Sequence, residues 1–157
     1  MTRLLGIFIL GIGLAACASQ PISSQKLGVA VIAGEVAKVK ALLSAGADPN
    51  AEVSFTHPRW NRGSEWNTRV LVAAIVYRHP KVVDLLLQHK VSFDMYDNAF
   101  AICPAVNSRQ RQIVAALIKA GIKVNKIACI RQLTPLESAK RRAYPEIVKL
   151  LVKAGAV

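Results

Sequence analysis

The skeleton LGVAVIAGEVAKVKALLSAGADPN, from Leu27 to Asn50, returns three more times before Val157. Internal repetition constrains a fold strongly, because a unit too small to bury its own apolar face must stack on copies of itself. Aligning the turn position of each unit puts Gly46, Lys90, Gly121 and Gly155 in register, at spacings of 44, 31 and 34 residues. The second half of each unit is the most regular. Val39–Leu43, Val82–Leu87, Ile113–Ile118 and Ile147–Val152 carry apolar residues at three- and four-residue steps, one helical face that has to be covered. Small residues recur in the first half at Ala30, Ala74, Ala105 and Ala139, where helices pack closely. Pro80 and Pro145 stand where a second helix begins, and there the first N–H has no partner to lose. Gly46, Gly121 and Gly155 follow their helices, where a left-handed residue is wanted. Lys90 replaces that glycine in the second unit, at a cost in stability.

These patterns predict four helix pairs: 26–33 with 36–45, 70–77 with 80–89, 101–107 with 110–120, and 135–142 with 145–154. The pattern resembles the ankyrin repeat, whose period is about 33 residues. The fourth unit keeps that family's opening tripeptide as Thr134-Pro135-Leu136, with Glu137 where the family carries histidine. Gly28, Val72 and Cys103 hold the corresponding places in the other units. The resemblance implies an all-α solenoid of four helix-turn-helix units with hairpin-like loops, spanning 26–157. It also implies a binding scaffold. The last helix, with Lys149 and Lys153 towards solvent, is expected to close the stack.

The first spacing exceeds the period by about eleven residues. The excess falls in a loop at about 51–68, AEVSFTHPRWNRGSEWNT, where the family places its finger tips. Both tryptophans of the chain, Trp60 and Trp66, lie there with Phe55, His57, Arg59 and Arg62. Tryptophan and arginine are enriched at binding hot spots, offering rigid area or forked hydrogen bonding, and long loops in compact domains are usually functional. Tyr96 and Phe100 from the next loop and Arg131 from the one after extend this into an aromatic and basic surface for a partner. The alternative is that a tryptophan folds back over the edge of the first unit.

The N-terminus has a different character. Arg3 precedes LLGIFILGIGLAA, a run too short to span a bilayer as a helix and ending in small residues, as signal peptides do. Leu14-Ala15-Ala16-Cys17 resembles the lipobox of bacterial lipoproteins. That resemblance implies removal of residues 1–16, acylation of Cys17, and a tether over 17–25. It implies a lipid anchor on the bacterial outer membrane with the domain facing the periplasm, since Ala18 rather than aspartate follows the cysteine. Several acyl chains anchor stably where one is marginal.

Charge is lopsided. The chain carries 21 Lys+Arg against 9 Asp+Glu, and from Phe100 onward Glu137 and Glu146 are the only acidic residues. A basic face suits nucleic acid only in a compartment that holds it, and an exported chain does not meet it there. Anionic lipid, cell wall or an acidic partner protein fits better, and a solvated face that aids solubility explains the charge equally well. Cys103 and Cys129 have no C-x-x-C spacing and no Cys/His cluster around them. In an oxidising envelope they form a disulfide or remain two thiols, one of them packed, a choice the sequence leaves open.

No catalytic constellation stands out. His57, His79 and His89 lack metal-ligand spacing, and Ser54 with His57 lacks a nucleophile elbow or acid partner. No glycine-rich phosphate loop and no carboxylate pair is visible. The expectation is a chain with no enzymatic activity, no cofactor, no metal and no small-molecule substrate, which binds another protein. Its most specific form is an immunity protein that occludes a secreted antibacterial effector such as a phospholipase. The rival is a scaffold or protective partner of a resident envelope enzyme, or attachment to anionic lipid or cell wall through the basic C-terminal half.

Overall fold

Left-handed backbone residues organise the chain. Gly34 and Gly46, Arg78 and Lys90, Arg109 and Gly121, and Ala143 and Gly155 all have φ between 54° and 89°, and each pair is separated by twelve residues. The first of each pair ends one helix and the second ends the next. The first set closes by the same bond: Glu35, His79, Gln110 and Tyr144 donate their amides to the carbonyls of Ala30, Ala74, Ala105 and Ala139 at 2.9–3.0 Å. This six-to-one closure satisfies carbonyls that a helix end leaves orphaned. The recurring alanines are therefore both close-packing sites and hydrogen-bond acceptors.

The computed structural model describes residues 22–56, 64–94, 100–125, 129 and 132–157. Eight helices are described: α1 Ile22–Ala33, α2 Val36–Ser44, α3 Val70–Val76, α4 Pro80–Gln88, α5 Ile102–Asn107, α6 Arg111–Lys119, α7 Pro135–Arg141 and α8 Pro145–Lys153. Two strands, β1 Glu52–Thr56 and β2 Glu65–Arg69, interrupt them. The chain is thus mostly helical but not all-α. The all-α expectation fails at the insertion, whose flanks alternate apolar and polar residues and pair as antiparallel strands. The helices after α1 begin and end within one residue of the spans read from the sequence. α1 starts earlier, at Ile22, inside the stretch read as tether, and Ser24 is already buried.

Two rows of helices form the body. α1, α3, α5 and α7 pack in succession, and α2, α4, α6 and α8 form the second row beside them. One continuous core runs between the rows, with Leu27, Leu71, Ile75, Leu86, Leu117 and Leu151 among its fully buried side chains. Side chains also bridge neighbouring units. His79 donates from Nε2 to the Ile32 carbonyl at 3.0 Å, and Gln110 donates to the Ile75 carbonyl at 2.9 Å. At the opposite ends of the pairs, Asn50 accepts from the Ser92 amide at 2.9 Å, and Asn125 accepts from the Val157 amide and donates to the Gly155 carbonyl.

The stripes on the second helices change in burial from one end of the described units to the other. Val82 and Leu86, Ile113 and Leu117, and Ile147 and Leu151 are buried against the preceding unit's row, while the equivalent positions of α2 are exposed Lys38 and half-buried Leu42. The next stripe round is buried at Val39 and Leu43 but thins at the other end to half-buried Val148 and to Val152, 53% exposed.

The fourth unit opens with a capping box. Thr134 Oγ1 accepts from the Glu137 amide, and the Glu137 carboxylate accepts from the Thr134 amide at 2.7 Å. Glu137 thus has a local role of its own at the opening of this helix. Cys103 and Cys129 form a disulfide with a Cα–Cα distance of 5.4 Å. It ties α5 to the segment leading into α7, where Cys129 also donates its amide to the Leu133 carbonyl.

Candidate functional site

The hairpin between the first and second units is built from two alternating strands, EVSFT and EWNTR. Glu52 faces Arg69, Val53 faces Thr68, Ser54 faces Asn67, Phe55 faces Trp66, and Thr56 faces Glu65. Period-two alternation puts Val53, Phe55, Trp66 and Thr68 on one face of this ribbon. Val53, Phe55 and Thr68 are covered, and Glu52, Ser54, Glu65 and Asn67 on the other face are exposed. In the sequence, β-branched and aromatic residues alternate with polar ones over both runs, but five residues carry only a weak period.

The base of the hairpin is fixed by polar contacts. Val70 donates its amide to the Ala51 carbonyl at 3.0 Å. Arg69 pairs with Glu52 at 3.0 Å and also donates to the Asn50 carbonyl. Farther along, the Tyr77 hydroxyl donates to the Thr56 carbonyl at 2.7 Å, and Ser54 donates its hydroxyl to Glu65. The ribbon therefore lies along α1 and α3, from the loop after α2 to the C-terminal end of α3. Gly28 makes this approach feasible: a Cβ there would sit 2.6 Å from Val53 Cγ2.

Aromatic rings continue the support. Phe55 is 5% exposed, with its ring centroid 5.8 Å from Trp66 and 5.6 Å, edge-on, from Tyr77. Tyr77 in turn stacks on His79 at 6.5 Å. Trp66 is 41% exposed. One side of the indole is thus braced and the other is open to solvent.

This geometry sorts the residues expected to meet a partner. Phe55 and Trp66 are brought together, but Phe55 is a buried packing residue, and Trp66 supplies the accessible surface. Phe100 is half-buried against the core. His57, Arg59, Trp60, Arg62, Tyr96 and Arg131 lie outside the described residues, as does Cys17. His79, to which the sequence assigns no metal-ligand spacing, bridges two units and fills the space above Gly34, whose φ is +71°. Sequence reasoning missed that role, although the matching place in the next unit, Gln110, is polar too.

Among the described residues, no three of His, Cys, Asp and Glu converge as a metal site would require. Among them too, no helix is long and apolar enough to cross a membrane. What the hairpin offers is a rigid, partly exposed aromatic anchor with hydrogen-bonding groups on its outer face, the chemistry of a contact surface. No family model matches the chain, and a search of curated proteins finds no match.

Proposed function

We propose that this chain is an ankyrin-repeat lipoprotein, acylated at Cys17 and facing the periplasm from the outer membrane, that binds another protein through the inserted hairpin. The observation that carries the reading is Trp66, held half-exposed on a ribbon that the repeat alone does not require. Four stacked helix pairs of near-uniform geometry support the ankyrin reading. The lipobox-like Leu14-Ala15-Ala16-Cys17 supports the anchor.

The most specific form of the proposal is an immunity protein. A secreted antibacterial phospholipase is neutralised when the hairpin covers its active cleft, and the anchor keeps the inhibitor at the membrane such an enzyme attacks. Co-expression tests this. The wild-type chain should rescue cells that carry a secreted antibacterial phospholipase in the periplasm. Trp66→Ala should weaken the purified complex by tenfold or more, as expected for a hot-spot loss of about 2 kcal/mol. Undiminished binding by Trp66→Ala would remove the hairpin from the mechanism. Failure of the wild type to bind or rescue would remove the immunity role.

A further inference from the structure

A groove of about 360 Å³ opens where the first helices of the second and third units turn into their second helices. Arg78, Arg109 and Arg111 all line it. It shares no residue with the hairpin, and the interpretation of the hairpin does not bear on it. Arg78 and Arg109 are the same residue of the repeat, each the left-handed position that closes a first helix, with φ of 65° and 56°. Arg111 opens α6 one residue past buried Gln110.

Three features of this cluster point to a ligand. All three arginines are exposed, and the ion pairs among the described residues, Lys38–Glu35, Arg69–Glu52 and Lys149–Glu146, involve none of them. Three like charges gathered in one groove repel one another, and a bound anion reverses the sign of that interaction. Second, Arg109 lies over the Tyr144 ring, 5.5 Å from its centroid. Stacking fixes the plane of the guanidinium and leaves its N–H edges free to donate. Third, left-handed arginine is an unusual choice. Glycine fills the equivalent place in the first unit and alanine in the fourth, so the turn itself does not ask for a long cationic side chain.

We propose that this groove binds a phosphate group. Arginine forks match the oxygen spacing of oxyanions, and a tetrahedral phosphate lets forks approach its unesterified oxygens from several directions, where a planar carboxylate presents its two oxygens in one plane. The volume, at the small end of ligand pockets, suits a phosphate with a modest attached group. The phosphate belongs either to a soluble compound or to a lipid head group, two sources of the same chemistry.

The full chain, purified in a neutral detergent, is titrated with pyrophosphate and with inorganic phosphate. It is also floated with phosphatidylglycerol vesicles against phosphatidylcholine vesicles as the baseline. The combined substitution Arg78→Asn, Arg109→Asn and Arg111→Gln should weaken pyrophosphate binding tenfold or more. Lys119→Gln, Lys123→Gln and Lys153→Gln together remove the same charge elsewhere and should stay within about twofold of wild type. Replacing the three arginines by lysine keeps the charge, guards against a folding artefact and should give an intermediate loss. If lipid is the source, the excess on phosphatidylglycerol disappears in the arginine variant. If a soluble phosphate is the source, only the titrations respond. The proposal is overturned if the arginine and control variants bind alike, if the wild type binds neither phosphate probe nor phosphatidylglycerol in excess, or if polyglutamate binds and phosphate does not.

Discussion

Single residues set the helix ends. Lys90 has φ 59° at a place where the other three units carry glycine. A side chain in that conformation costs about 1 kcal/mol or more. Lys90→Gly should therefore raise the melting temperature by about 3 °C, read by thermal denaturation followed by circular dichroism. Glu137 makes a second residue-level prediction. The Thr134 amide, then its hydroxyl, holds the Glu137 carboxyl below the usual carboxylate range, with Lys140 and Arg141 adding to the effect. A depressed folded-state value means the capping interaction contributes in full above the ordinary glutamate range and is lost as pH falls through the lowered one. Acidification should thus fray α7, seen as faster amide exchange at its first turn. Glu137→Gln should remove that part of the pH dependence. A carboxyl titrating at the ordinary position by NMR would contradict the capping box. The motif is readable in the sequence as threonine, two residues, then glutamate.

At the scale of the element, the hairpin depends on the absence of one carbon. Gly28→Ala puts a Cβ against β-branched Val53, which has little freedom to move aside. The substitution should destabilise by about 1–3 kcal/mol and lift the ribbon from α1, detectable as increased amide exchange in Glu52–Thr56. Phe55→Ala and Trp66→Ala should separate the two roles of the aromatic pair. The first should cost about 3 kcal/mol or more of stability and the second much less, since only Phe55 is buried on all sides. The helices were legible in advance because their apolar period and their proline and glycine punctuation agree with one another. The strands were less so. Five-residue runs such as Glu52–Thr56 carry a weak period, and a loop was the simpler reading of an insertion.

For the molecule as a whole, the disulfide decides how the last unit is held. Reduction of Cys103–Cys129, which are 26 residues apart, should cost about 3 kcal/mol, with exchange rising first in 132–157. Two reactive thiols in protein purified without reductant would show the bond to be absent. The sequence left this pairing open because stacking sets the distance between units, and no local pattern encodes it. The candidate site was legible only as a place. The insertion stood out by its length and its tryptophans, but which of Phe55 and Trp66 would be buried depended on α1 and α3 lying beneath one face. The interval of twelve residues between left-handed positions holds in every unit, while the stretches joining one unit to the next differ widely in length. Insertions and deletions are therefore tolerated in one kind of segment and excluded from the other. A descendant or an engineer has latitude in the stretches that join units, whereas one residue added inside a helix pair would put both of its ends out of step.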